Sequence, residues 1–424
     1  MTTNENETPD TAEALKAAAT LRMTARACNT EADKLEDGAA TGKASEAMRA
    51  ARRTLPAHLV TPADSTAPTL PKHTIKPAEL RAAAAAEVPM LLQGGEGQWL
   101  SPVLPLGIPA MLSGPPGAGK TWWALGCAWS VAGGGPMFGA DAPDLRLEPA
   151  PGGGRDVLIL SLEDDRAAVM RRLAAIAGAD PSEDVLARID LLAIDDLPEG
   201  ATHLFDIATS GAATRASLFT ALAERCQERD YALVIIDTFA ASCMGEVETS
   251  ATAATHVIRA CGQLGGGKEG KPKPTVLMLH HTRKSDSKGD PKTRLFGALD
   301  VEATRGTGAI IGSVRWGGML AAAHGVPDKS GKERAHIFFR VAKVNGCAMF
   351  TTKFHLVHGD GGALRMANDD EKEAWRTWKP NPSDDNGQPA NATTQQRGSQ
   401  SSTVVPKPVA HAAPRTSYAD PKDV

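Results

Sequence analysis

The sequence predicts an α/β fold: a mostly parallel sheet with helices on both faces and an antiparallel C-terminal edge, flanked by an N-terminal extension and a disordered tail. Three observations predict it. Short apolar runs alternate with helical patterns through the middle of the chain. Several of those runs, such as DVLILSLE, ALVIIDT and TVLMLHH, are nearly continuous, as in strands buried on both faces of a parallel sheet. The last apolar runs follow one another with little helix between them, which suits antiparallel neighbours.

The elements are read in order. Residues 1–95 are Ala-rich and charged, with two narrow helical patterns and a Pro-rich stretch over 56–77 that reads as a linker. Residues 96–366 form the α/β domain. Its candidate strands are IPAMLSG, DVLILSLE, IDLLAI, ALVIIDT and TVLMLHH, then VRWGGMLAAA, HIFFRVAKV and MFTTKFHLV as an antiparallel addition at one edge. Helices are expected over TWWALGCAWSVA, RAAVMRRLAAIAG, ATRASLFTALAERCQERD and ATAATHVIRACGQLG. The order is βαβα, with right-handed crossovers. The glycine-rich segment GGGPMFGADAPDLRLEPAPGGGRD is an insertion. Residues 367–424 are polar and of low complexity, and the expectation is disorder.

Composition narrows the function. The chain has 424 residues, 42% hydrophobic and 23% charged, too apolar for a wholly disordered protein. Its net charge of -4 argues against a surface coated in basic residues, but the average conceals a local excess. Residues 268–353 hold 16 Lys+Arg against 7 Asp+Glu. The six cysteines form no CxxC pair and have no metal-ligand spacing, so reduced thiols and a cytoplasmic protein are expected. The polar, acidic start predicts no signal peptide, and no run of about 18 apolar residues predicts a membrane span.

The chemistry begins at Gly114–Thr121, GPPGAGKT, which fits GxxxxGK[ST] between an apolar run and a helix. Such a loop turns its backbone N–H groups inward around phosphate oxygens, and the helix N-terminus adds the positive end of its dipole. Gly114, Pro115, Pro116, Gly117, Ala118, Gly119, Lys120 and Thr121 form the cradle. Lys120 reaches the β- and γ-phosphates of ATP, and Thr121 offers a hydroxyl to Mg²⁺. The run ALVIIDT ends in Asp237, a second ligand for Mg²⁺ through water. DVLILSLEDD ends in Glu163, Asp164 and Asp165. Glu163 is placed to polarise an attacking water, while these acids also suit the N-terminus of the next helix. TVLMLHH ends in a histidine pair whose side chains point to opposite faces. His280 is preferred over His281 as the group that senses the γ-phosphate; metal binding or a plain strand end is the alternative.

Taken together, GPPGAGKT, LEDD, VIIDT, LHHTRK, RGTGAIIGSVRW and RVAKVNG resemble the RepA-type plasmid replicative helicases, hexameric RecA-like P-loop ATPases related more distantly to DnaB helicases. The resemblance covers about residues 95–366. It implies that Glu163 is the catalytic base, His280 the sensor, and Arg315 an arginine inserted into the neighbouring subunit's site. Lys343 falls where related enzymes place another trans-acting cation, although the Lys-x-Arg pattern of DnaB helicases is missing. The resemblance also places the loop TRKSDSKGDPKTRLFG in a central channel. There Arg283, Lys284, Lys288, Lys292 and Arg294 suit a single-stranded phosphate backbone, and Phe296 is a candidate for base stacking. A surface ion pair for Arg315 and a solvated basic loop are the plainer readings. The expected function is an ATP-dependent, ring-forming DNA helicase: a homo-oligomer, expected to be a hexamer, on single-stranded DNA, with a primase or initiator as further partner and no membrane association. The rivals are a single-strand DNA-binding or recombination motor without unwinding, and an ATP-switched scaffold or loader.

Overall fold

The computed structural model describes residues 76–78, 81, 89–96, 99–138, 146–266, 273–282, 291–306, 308–347, 353–359 and 361–379. The chain divides into two units, Met1–Ala86 and Glu87–Val424; every element below lies in the second.

Strand β1 (Met90–Glu96) pairs antiparallel with β2 (Trp99–Pro105) and with β4 (Arg146–Pro149), forming a small separate sheet. The boundary expected at residue 95 therefore falls inside a strand. Leu91 and Leu92 are buried in the main core, but two leucines followed by Gly94 and Gly95 are too short a pattern to read as a strand. The glycine-rich insertion contains β4.

The main sheet has nine strands in the order β15-β14-β13-β12-β3-β11-β9-β5-β6. In chain order these are β3 (Pro109–Gly114), β5 (Asp156–Ser161), β6 (Ile189–Ala193), β9 (Tyr231–Asp237), β11 (Thr275–His281), β12 (Trp316–Pro327), β13 (Glu333–Val344), β14 (Phe354–His358) and β15 (Leu364–Met366). Three short strands, β7 (Phe205–Ile207), β8 (Ala213–Arg215) and β10 (Cys243–Met244), make a third sheet. The segment from β3 to β6 is parallel, and β13 to β15 are antiparallel. The first of the three late strands departs from expectation. β12 runs parallel to β3, pairing Trp316 with Ala110 and Met319 with Ser113, and only its partner β13 reverses direction.

Helices cover both faces. α1 (Lys120–Trp129) and α2 (Arg166–Ala177) pack Trp123, Val169 and Leu173 on one face, against Leu112, Ile159, Ile235, Leu277 and Leu279. A single turn, α3 (Glu183–Leu186), precedes β6. α4 (Ser217–Glu228) and α5 (Ala251–Cys261) cover the other face, where Leu222 and Val257 meet Met111, Leu158, Val234 and Met278. Strand alternation assigns neighbouring residues to opposite cores. α4 starts later than its helical pattern because residues 213–215 form β8.

Two short helices, α6 (Pro291–Gly297) and α7 (Gly308–Ser313), precede β12. The last element is α8 (Asp369–Thr377), inside the segment expected to be a disordered tail. Asn368 and Glu371 form a capping box at its start, and Glu371 holds Arg365 through two bonds of 2.6 and 2.8 Å. Trp375 joins Leu295, Met319 and Phe338 in a third apolar cluster. One tryptophan and a buried acid seat a helix whose composition is otherwise polar. No helix among the described residues is long and apolar enough to cross a membrane.

Candidate active site

β3, β5, β9 and β11 end at one edge of the parallel sheet, where a cleft of 340 Å³ opens. Its walls include Pro116, Gly117, Lys120, Thr121, Glu163, Asp237, Thr238 and His281. The loop from β3 into α1 can make its turn because Gly119 has φ +82°, in the left-handed region, immediately before the helix begins.

Lys120 is buried, and its Nζ donates to the carbonyls of Gly114 and Pro115 at 2.9 and 3.1 Å. Burial pulls its pKa down to about 8, against the opposing pull of Asp237 and Glu163. The same Nζ stands 3.3 Å from His281 Nδ1. An ammonium can only donate, so His281 Nδ1 accepts and the ring carries its proton on Nε2.

Thr121 Oγ1 donates to Asp237 Oδ2 at 2.7 Å. Burial raises the Asp237 carboxyl to about 6, partly offset by the Thr121 hydrogen bond, and Glu163 and Asp164 add repulsion. A hydroxyl and a carboxylate side by side, with Glu163 in the same cleft, fit a hard divalent cation. Thr121 and Asp237 would hold Mg²⁺, which when bound supplies charge neutralisation for phosphate oxygens.

Glu163 is exposed at the end of β5, and Thr238 Oγ1 donates to its Oε1 at 2.7 Å. The three adjacent acids have separate partners. Asp165 caps α2 by accepting from the Ala168 amide at 2.6 Å, and Asp164 pairs with Arg172 at 2.5 Å. Glu163 is left to face the cleft. Arg172, Trp122 and His358 form the outer wall, with Trp122 edge-on to His358 at 5.9 Å between ring centroids.

Residues 96–287 match the family model described as an AAA domain. The match supports an AAA-type P-loop ATPase. It covers the phosphate loop, Glu163, Asp237 and the histidine strand, and stops before Arg315 and Lys343.

Several expected site residues stand elsewhere. His280 does not line the cleft: it is fully buried on the opposite face of the sheet, with burial lowering its pKa to about 4. His281 takes the cleft position. Parity explains the exchange, because His281 shares a face with Leu277 and Leu279, the face that α1 covers. Arg315 is exposed just before β12, where its N–H donates to the Pro109 carbonyl at 2.8 Å. Pro109 begins β3 and Gly114 ends it, so Arg315 lies about 16 Å from its own phosphate loop, at the other edge of the sheet. Lys343 lies at that same edge, donating to Ile311 and Gly312 carbonyls at 2.6 and 3.3 Å.

Lys292 is also committed within the chain. Its Nζ donates to the carbonyls of Trp375 and Arg376 at 2.8 and 3.2 Å, closing the C-terminus of α8. Phe296 packs against Phe338 and Trp375 rather than presenting a face for a base. Arg283, Lys284 and Lys288 lie outside the described residues; Arg294 falls within α6. Thr238, Arg172, Trp122 and His358 were missed by sequence reasoning. Only Thr238, next to the strand-terminal Asp237, carried a signal.

Proposed function

We propose that the protein is a ring-forming, ATP-hydrolysing motor on single-stranded DNA, a helicase of the plasmid or phage replication type, with each ATP bound between two copies of the chain. The observation that carries this reading is the place of Arg315. The cleft offers Lys120, Thr121 and Asp237 to the phosphates and Mg²⁺, and Glu163 to the attacking water, while Arg172 is tied to Asp164. A guanidinium with no side-chain partner among the described residues, that of Arg315, stands exposed at the opposite end of the same strands. A second copy packed edge to edge brings that arginine to the γ-phosphate, where it neutralises developing charge.

The roles follow from position. Lys120 leaves the loop carbonyls for the phosphates. Glu163 orients water, with Thr238 fixing one carboxylate oxygen. His281 replaces His280 as the histidine facing the γ-phosphate. The basic excess over residues 268–353 supports a polyanionic partner. Arg283, Lys284, Lys288 and Arg294 remain the candidates for contact with it; Lys292 does not.

The test is subunit mixing. Arg315→Ala and Lys120→Ala are each expected to lose ATP hydrolysis, and mixed rings to regain part of it, because some interfaces keep both groups. Mass measurement with ATP and a single-stranded oligonucleotide then gives the copy number. Absence of recovery, or a chain that stays monomeric with ATP and DNA, overturns the shared-site reading.

A further inference from the structure

We propose that Arg305 and Glu248, which do not line the cleft, are positioning residues for ATP hydrolysis, acting through the histidine pair to set His281 against the γ-phosphate. The inference rests on the cleft being an ATPase site with His281 at the γ-phosphate.

The backbone of Arg305 holds both histidines. Its N–H donates to the His281 carbonyl at 3.1 Å, and its own carbonyl accepts from His280 Nε2 at 2.9 Å. Its side chain reaches a different loop, with Nε donating to Glu248 Oε2 at 2.8 Å. The remaining Glu248 oxygen, Oε1, lies 3.9 Å from His280 Nδ1. Three residues from three segments thus close a triangle: the end of β11, the loop after β9 and the segment before α7.

Two features show that this triangle is under tight geometric control. Gly306 has φ +89°, and a Cβ there would come within 2.7 Å of the Glu248 carbonyl oxygen and of Ile310 Cδ1. The two loops therefore touch at a point where only glycine fits. The buried ring of His280 also meets Phe239 edge-on at 5.4 Å, and Phe239 follows Asp237 and Thr238. His280 is thereby packed between the acid strand and the Arg305 segment. Nε2 gives its proton to a carbonyl, Nδ1 has no hydrogen-bond partner among the described residues, and burial favours the neutral ring. Glu248 Oε1 likewise has no hydrogen-bond partner among the described residues. Unpaired buried polar atoms disfavour their own arrangement, so the corner is held by the Arg305 bonds rather than by its own internal satisfaction.

The experiment measures ATP turnover and the binding of ADP and a non-hydrolysable ATP analogue in Arg305→Ala, Glu248→Ala, Gly306→Ala and Arg305→Lys. Arg305 is 57% exposed, so its substitutions leave the core intact. The first three variants are expected to lose about tenfold or more in kcat, as sub-ångström misplacement does, with KM within about twofold. They are also expected to lose the preference for the ATP analogue over ADP, and Arg305→Lys to recover most of both. Wild-type kcat and preference in Arg305→Ala would overturn the proposal, as would a wild-type protein with no preference. A wild-type protein that prefers the analogue and hydrolyses ATP, yet forms no rings and moves on no DNA, sinks the motor reading and leaves the positioning role standing; one that hydrolyses no ATP overturns both.

Discussion

The two ends of β3 are built in opposite ways. At the Gly114 end, groups converge: a buried lysine, a hydroxyl paired with a buried acid, an exposed glutamate and a half-buried histidine, all within one cleft. At the Pro109 end they are dispersed. Lys343 is spent on helix carbonyls, and Arg315 has its backbone bonded but its side chain exposed. One end is organised for an anion and the other displays a cation, and β3 fixes them about 16 Å apart. A single copy cannot join them. In the proposed ring, one end of each copy would meet the opposite end of the next.

The sharpest way to break that comparison is Arg315→Ala. It should lower kcat about 10³-fold or more while nucleotide affinity, measured by titration, stays within about twofold. A large loss of affinity instead would mean that Arg315 serves its own fold. Next is Glu163→Gln at the converging end, expected to lower kcat about 10²- to 10⁴-fold with ATP still bound. The pH profile of kcat/KM sharpens the cleft's electrostatics. Asp237 must be ionised and Lys120 protonated, so kcat/KM should rise through about pH 6 and fall through about pH 8. Raising Mg²⁺ should move the acid limb downward, because the cation competes with the proton at Asp237. The smallest effect is expected for Lys343→Ala. Loss of its bonds to the end of α7 should cost about 0.5–1 kcal/mol of stability by thermal melting, with turnover changed far less than in Arg315→Ala.

Much of this architecture was legible because parallel strands buried on both faces leave unbroken apolar runs. The phosphate loop was legible because its chemistry demands fixed residues at fixed spacing. Which histidine faces the cleft was legible although His280 was preferred as the sensor: α1 covers the face of Leu277 and Leu279, and His281 continues that alternation. β1 and α8 were not legible for a different reason. Each is held by one or two large side chains, Leu91 with Leu92 and Trp375, among glycines or charges that carry no periodic pattern. Lys292 illustrates the general limit. A basic residue in a basic segment looks available to a polyanion until the structure places a helix terminus against it. The triangle of His280, Glu248 and Arg305 joins residues 57 positions apart, and no local pattern announces it.

Arg315 is followed by Trp316, whose ring is fully buried against Trp123 and Phe339 and whose indole N–H is anchored on the Val103 carbonyl at 2.5 Å. The exposed guanidinium is therefore mounted directly beside a buried, hydrogen-bonded aromatic anchor. In a ring, such a mounting behaves as a lever arm: a tilt of about 10° of one copy swings a group about 16 Å from the phosphate loop by nearly 3 Å. That is the difference between touching a phosphate and missing it. The timing of hydrolysis would then be read from the angle between neighbouring copies, with the tryptophan holding the arginine at the end of the arm.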